Sequence, residues 1–562
     1  MRGHSAAYKL TVDMTKQTFL YGAAILTVSG ILSKILGAIF RIPLANLIGA
    51  EGMAYYNGAY PTYVLLLTVS IAGIPVAISR MVSEKIAFGD HAGAHRVFKV
   101  SLAVMAVIGA ALFAFLYLGA PAITGSVSGL EGAVHAMRAL APALLFISLL
   151  SVFRGYYQGT QDMRPSAVMQ VVEQLFRVVL GLSLAFALVG MGKEFAAAGA
   201  TFGATAGAAA ALAAGVAIYV RMMKRSSYPD KIKDSRLANE ATGEPPQSTG
   251  SILFTLAYIA IPITIGATIM PIMQNIDLHV VPARLSYLGM DPEQVRSLYG
   301  QLTGMAGPLI NLPQVVTQGI AVSLVPTIVT AFKTGDIDFL HKNVALSLKT
   351  TMIVALPCTV GLAVLAEPVM KLLYFRRMDE AISAAPSLFI LAFGVVFLAS
   401  VQTLTGALQG VERQFIPVRN LFIGAVCKAV LTYALTGIPS INIKGAAIGT
   451  VCAYAVAAVL NFSAVRRYTN ARVDVRSVFA KPLLCSLVMG GVAFFVYTLL
   501  SRITGNGISS MGGVATGCVV YFIMIFATRT VTENELALFP KGDALVKIYQ
   551  KALTIMRVNA RI

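Results

Sequence analysis

Residues 73–90 read GIPVAISRMVSEKIAFGD, and residues 319–336 read GIAVSLVPTIVTAFKTGD. Gly73, Gly89 and Asp90 fall on Gly319, Gly335 and Asp336, each 246 positions later. The same offset carries Gly199 and Gly203 of GATFGAT onto Gly445 and Gly449 of GAAIGTV. Between these, GYYQG at 155–159 answers GALQG at 406–410 with an offset of 251, and that offset takes Arg177 to Lys428. A short slip in the connecting loops accounts for the change. The chain is written twice.

What is repeated is membrane-spanning. The 562 residues are 57% hydrophobic and only 12% charged, more apolar surface than a soluble domain can hide. Windows 100–130, 195–220, 297–332, 381–411 and 503–528 contain no Asp, Glu, Lys or Arg. Each exceeds the roughly 20 residues that cross hydrocarbon. The pattern predicts an all-α polytopic protein of about fourteen spans, near 19–42, 59–83, 98–121, 137–158, 166–190, 195–221, 251–281, 298–332, 343–366, 382–410, 414–437, 443–465, 479–500 and 506–528. The first twelve form two six-helix lobes. Six is even, so both copies enter the membrane in the same sense, related by a pseudo-two-fold axis along its normal. The expected plan is an N-lobe at 1–221, a cytoplasmic linker at 222–250, a C-lobe at 251–466, two further spans within 467–528, and a tail at 529–562. In that tail Leu545, Ile548, Tyr549 and Met556 share a face apart from Lys547, Lys551 and Arg557, as in a helix lying on an anionic inner surface.

Charge fixes orientation and narrows function. Loops 222–250 and 466–481 are rich in Lys and Arg, whereas 43–58 and 438–444 carry only Lys444 between them. That asymmetry puts both termini in the cytoplasm. The loop 367–380, with Lys371, Arg376 and Arg377, runs against it. The net charge of +19 is spread over loops, so it reads as topology and not as a nucleic-acid surface. The five cysteines lie in or beside apolar segments without a CxxC, and read as small core residues. His91 and His95 have a zinc-like spacing but no further ligand nearby. Asp336 and Asp338 spell DxD in a position that repeats Asp90, which points to a structural turn. No nucleotide-binding or hydrolase motif occurs. Two lobes with a site between them suit an alternating-access carrier better than a channel or an enzyme, and no metal or cofactor is expected.

An ionisable group inside hydrocarbon costs about 2.5–3.5 kcal/mol on insertion scales, and normally faces protein or a wet cavity. Gln170, Glu173, Gln174 and Arg177 fall at i, i+3, i+4 and i+7, on one helical face. Glu173 and Arg177 are spaced to pair. The stripe either locks two helices or lines a cavity. Arg154 and Gln158 form another i, i+4 stripe, and Arg41 ends the first span. Cationic groups gathered in the first half suit an anion, and guanidinium suits phosphate because its planar donors take two oxygens at once. Arg80, at the inner end of the second span, reads as snorkelling to headgroups. In the second half, Asn275, Asp277 and His279 share one apolar span and Lys428 is the sole charge in 420–443. Asp277 and Lys428 are expected either to approach each other, the ammonium taking the place of a coupling cation, or to find separate partners.

The segments LSKILGAIFRIPLANLIGAEG (32–52), SIAGIPVAISRMVSEKIAFGD (70–90), FRGYYQGTQDMRPSAVMQVVEQLFRV (153–178) and NIKGAAIGTVCAYAVAAVLNF (442–462) resemble those of stage V sporulation protein B and its YtgP-like relatives. These belong to the MurJ-like branch of the multidrug/oligosaccharidyl-lipid/polysaccharide exporter superfamily. The resemblance covers nearly the whole chain. It implies a non-enzymatic flippase in the bacterial cell membrane that carries lipid II, the undecaprenyl-diphosphate-linked peptidoglycan precursor, to the outer leaflet. It further implies a cationic central cavity, a groove for the lipid tail at spans 13 and 14, and cell-wall synthesis proteins as possible partners. Lys34 sits at a family arginine position of span 1, and Arg41 lies beside another, which falls on Phe40. The arginines of spans 2 and 8 are replaced, the latter near Gln301. Headgroup contacts are therefore expected from Arg41, Arg154, Arg177 and Arg284, with Gln158, Glu173 and Gln301 around them. Lys428 falls close to a ligand position of the family's sodium site, which leaves protons or membrane potential as the drive. The alternatives are a flippase for another undecaprenyl-diphosphate oligosaccharide, a cation-coupled drug exporter, and a non-transporting scaffold.

Overall fold

The computed structural model describes residues 2–225, 228–242, 247–470, 474 and 476–531. The expected tail helix lies beyond the described residues, and the side chain of Lys34 is likewise not among them. The first helices are α1 (Arg2–Ile71), α2 (Ile74–Ala87), α3 (His91–Gly125), α4 (Ala133–Gly159), α5 (Arg164–Leu188) and α6 (Lys193–Arg225). They are followed by α7 (Tyr228–Thr242), α8 (Thr249–Tyr287), α9 (Pro292–Gly300), α10 (Gly307–Asn311), α11 (Gln314–Thr334) and α12 (Ile337–Val364). The last are α13 (Ala366–Leu373), α14 (Met378–Gly410), α15 (Phe415–Thr436), α16 (Lys444–Thr469), α17 (Lys481–Leu500) and α18 (Asn506–Ala527).

Among the described residues, 13 helices are long and apolar enough to cross a membrane. One of them covers Val28–Ala87, 60 residues, or roughly 90 Å at helical rise, far more than one crossing of about 30 Å needs. The chain breaks inside it at Gly49, whose φ of 69° and ψ of −177° suit glycine. The sequence-based count of fourteen spans and the thirteen helices therefore agree. The expected outer loop 43–58 is helical on both sides of that single residue.

The chain divides into two compact units. The first comprises Met1–Ala283 and Asp291–Arg296, and the second comprises Arg284–Met290 and Ser297–Ile562. The first unit thus runs past residue 221 and takes in most of α8. A Cβ at Gly73 would stand 2.3 Å from the Ala260 carbonyl oxygen, so the backbone of α8 lies directly on the start of α2. Asn275 on α8 also donates to the carbonyls of Pro61 and Pro271, at 2.9 Å each, and accepts from Thr62 at 3.2 Å. Within the expected linker, α7 is docked on the same unit. The hydroxyls of Tyr156 and Tyr228 meet at 2.8 Å, and the Ala92 N–H donates to the Ser235 hydroxyl at 3.3 Å. Nearby, His95 stacks on Phe98 and Tyr219.

The two units repeat the same local devices. Gly89 and Gly335 both adopt left-handed backbone, φ 75° and 71°. Each is followed by an aspartate that caps the next helix: Asp90 accepts from the Gly93 N–H and Asp336 from the Phe339 N–H. In the first unit Gly155 and Gly159 of α4 press on Ile78 and Val82 of α2; in the second Gly406 and Gly410 of α14 press on Ala321 and Ile328 of α11. Gly203 of α6 meets the Arg177 carbonyl of α5, and Gly449 of α16 faces Thr432 and the Lys428 carbonyl of α15. Small residues at these crossings let membrane helices approach by their backbones. Span 8, expected as one run over 298–332, is broken instead. α9 passes into a π-helical turn at Gln301–Ala306, then α10, and the chain restarts at α11 after Pro313. Pro308 and Pro313 cannot donate to a helical ladder, which accounts for the interruption.

Candidate anion site in the first unit

The polar face of α5 turns inward. Gln174 is 8% exposed, whereas Phe176 and Val179 on the opposite face are 47% and 59% exposed, as lipid-facing side chains should be. The inward face meets α1. The Ser29 hydroxyl donates to the Gln170 carbonyl oxygen at 3.2 Å, and Gly37 makes room for the Gln174 amide.

Below that contact lies a three-member bridge. Arg154 Nη2 of α4 donates to Glu173 Oε2 at 2.7 Å, and Arg177 Nη2 donates to Glu173 Oε1 at 2.9 Å. All three side chains are largely buried. One carboxylate therefore serves two guanidinium groups, one on each oxygen. Arg177 Nη1 also approaches the Tyr60 hydroxyl at 3.5 Å. Tyr60 stacks on Tyr56 at 5.4 Å between ring centroids and leans on Tyr63 at 5.8 Å. Over the first two rings sits Arg41, its guanidinium carbon 5.9 Å from each centroid, within cation–π range.

The charge balance follows. The cluster gathers three guanidinium groups, Arg41, Arg154 and Arg177, and one carboxylate, Glu173, so among the described residues that form it two positive charges are in excess. It also holds spare donors. The Nε–H of Arg177 and the hydroxyl of Tyr63 are buried without a hydrogen-bond partner among the described residues. Arg177 stands thirteen positions into α5 from Arg164, or about 20 Å along the axis. Two net charges and unspent donors at that depth suit a multivalent anion carrying several oxygens.

The structure brings together Arg41, Arg154, Glu173 and Arg177, with Gln158 one turn beyond Arg154 on the same face of α4. Arg284 and Gln301 fall in the second unit, each with partners of its own. Arg284 lies between the rings of Tyr287 and Tyr433 at 4.5 and 4.3 Å, with its Nε–H donating to the Tyr433 carbonyl. Gln301 is buried in the π-helical turn and donates to Ser297 on its own helix at 3.1 Å. Asn275 is a brace between α8 and α1 within the first unit. Asp277 falls in the first unit and Lys428 in the second. Arg80 is exposed. Two features escape the sequence reading. Tyr56, Tyr60 and Tyr63 repeat at i, i+4 and i+7, a helical column that YYNGAYPTY carries in plain view. Lys349 is buried in the middle of α12, where a lone cation in an apolar span is the available signal.

A family model described as polysaccharide biosynthesis protein matches residues 19–332, more than half of the chain. A second, described as lipid II flippase MurJ, matches residues 307–514. The chain is 27% identical over 530 residues to stage V sporulation protein B of Bacillus subtilis (strain 168), spanning 94% of this chain and 98% of that protein. It is 28% identical over 524 residues to the lipid II flippase MurJ of the same organism, spanning 90% and 92%. Among solved structures, an inward-closed lipid II flippase MurJ aligns with a TM-score of 0.62 at 16% identity, covering 90% of this chain and 98% of that one. An inward-facing MATE family transporter of the MOP superfamily aligns at 0.65 and 17%, covering 78% and 95%. The resemblance drawn from the sequence is borne out, as is the multi-pass helical fold, and the chain belongs to the polysaccharide biosynthesis protein family.

Proposed function

We propose that the protein is a flippase for an undecaprenyl-diphosphate-linked glycan, with lipid II as its first substrate, working by alternating access in the bacterial cytoplasmic membrane with both termini inside. The observation that carries this is the doubly positive cluster of Arg41, Arg154, Arg177 and Glu173 deep in the first unit. A diphosphate esterified at both ends carries two negative charges, which such a cluster neutralises without leaving net charge in the membrane. A cationic drug would meet repulsion there, which argues against the exporter reading. In the second unit, α17 and α18 present Phe494, Phe495 and Phe522 largely exposed, a surface suited to a long polyprenyl tail.

The reading is tested by complementing a strain depleted of its own lipid II flippase. Rescue is expected from the wild-type chain, loss of rescue from Arg41→Ala, and retained rescue from Arg80→Ala. Equal tolerance of both substitutions would count against the anion site. Rescue of a strain lacking a surface-polysaccharide flippase, without rescue of the first, would transfer the assignment to another undecaprenyl-linked glycan. The pairing of Asp277 with Lys428, beside Asn275, belongs to the same reading as a charge pair in place of a coupling cation. Lys428→Ala is expected to lower transport or thermal stability, and a chain unaffected in both would remove the pair.

A further inference from the structure

The cluster holds one negative group among its cations, and a site meant only to attract anions has no need of it. Glu173 is no bystander: each of its oxygens takes a different guanidinium, from α4 and from α5. Any anion binding Arg154 and Arg177 must therefore lie beside that carboxylate. Their repulsion grows in proportion to the charge on the ligand. We propose that Glu173 is a specificity-determining residue that favours a diphosphate esterified at both ends over a diphosphate esterified at one. This rests on the diphosphate reading of the same site.

The chemistry separates the two ligands by a single charge. A lipid-linked sugar diphosphate is a diester with two ionised oxygens. The same lipid diphosphate without its sugar is a monoester, and its terminal phosphate takes a further charge above a pKa of about 6. Such a monoester must arise wherever a reaction transfers the sugar and leaves the lipid diphosphate behind. A carrier that also accepted it would be occupied by the spent lipid. The groups in contact with the carboxylate are Arg154 on α4 and Arg177 on α5; Arg177 in turn approaches Tyr60 on α1, whose ring neighbours are Tyr56, Tyr63 and, over Tyr56 and Tyr60, Arg41. From α6, Gly207 packs on the Glu173 backbone carbonyl and brings no charge. Glu173 is the one acidic group in that set.

The test uses the purified full chain in nanodiscs with two ligands of equal tail, geranylgeranyl diphosphate and geranylgeranyl-diphospho-N-acetylglucosamine, titrated by calorimetry at pH 8 and pH 5.5. At pH 8 the Glu173→Gln chain is expected to tighten on the monoester at least tenfold more than on the diester. At pH 5.5, where the monoester has lost its extra charge, that difference is expected to shrink to within about threefold. Glu173→Ala replaces the glutamine variant should the latter not fold. Equal tightening on both ligands, or a difference that persists unchanged at pH 5.5, would overturn the assignment. If a folded wild-type chain binds neither ligand, the diphosphate reading itself falls and takes this inference with it.

Discussion

On the proposed diphosphate reading, Arg177→Ala is expected to lower transport of the lipid-linked substrate by roughly 10- to 150-fold while leaving a folded protein. The reason is an asymmetry in how the bridge is built. Removing Arg177 does not orphan Glu173, because Arg154 still holds its other oxygen at 2.7 Å. The protein therefore avoids the penalty of an unpaired buried carboxylate. What disappears is one of the two positive charges in excess, together with the buried Nε–H and the Nη1 that approaches Tyr60. Charge-assisted hydrogen bonds of this kind are worth about 1.5–3 kcal/mol, which sets the expected loss. Arg177→Lys is expected not to restore it, since an ammonium cannot hold Glu173 and reach Tyr60 together. The double change Arg154→Ala, Arg177→Ala behaves differently. It strands Glu173 and costs about 3–5 kcal/mol, more than the two single changes added. Flipping of a fluorescent lipid II in proteoliposomes reads the first effect, and thermal unfolding in detergent reads the second. Full transport by Arg177→Ala would exclude the cluster from the path of the headgroup.

Much of this architecture was legible because its causes are local. A glycine in left-handed backbone followed by a capping aspartate has the same signature at Gly89–Asp90 and Gly335–Asp336, so the repeat shows in the letters. The inward face of α5 was legible because helical periodicity fixes which side chains share a face. The Glu173–Arg177 pair was legible for the same reason. The second partner of Glu173 was not. Arg154 lies on another helix, and sequence spacing alone associates it with Gln158. Arg284 and Gln301 show the converse. A basic or polar residue in an apolar run invites assignment to the site, but the tyrosine rings around Arg284 and the Ser297 hydroxyl that takes the Gln301 amide come from packing that such a run does not announce. The tyrosine column was within reach, since its spacing is that of α5. Apolar-looking aromatic residues draw little notice in a membrane helix. The break at Gly49 and the docking of α7 depend on contacts that no local pattern encodes.

Gly207→Val is expected to remove the folded protein altogether, an effect of about 3 kcal/mol or more. A Cβ at Gly207 would stand 2.3 Å from the Glu173 carbonyl oxygen and 3.2 Å from the Arg177 nitrogen. The obstacle is helix backbone and cannot rotate away. Gly199, Gly203 and Gly207 recur every fourth residue along α6. The first presses on Leu184 and the second on the Arg177 carbonyl, at 2.8 and 2.6 Å. This small-residue stripe lets the backbone of α6 lie on the backbone of α5, and α5 carries both Glu173 and Arg177. A branched side chain there must push α5 off α6, and with it the carboxylate off Arg154. Gly207→Ala meets the same carbonyl with its only added atom, so it too is expected to lose stability, by less than valine because α5 has less to yield. Gly125→Ala and Gly190→Ala, where an added Cβ meets nothing within 4 Å, are the controls and are expected to behave as wild type. The measurement is the yield of monodisperse protein in detergent with its melting temperature. A Gly207→Val chain that is as abundant and as stable as these controls would mean that α5 and α6 are not packed backbone to backbone. The geometry of the anion site would then lose its support, because the same contact sets the distance from Glu173 on α5 to Arg154 on α4.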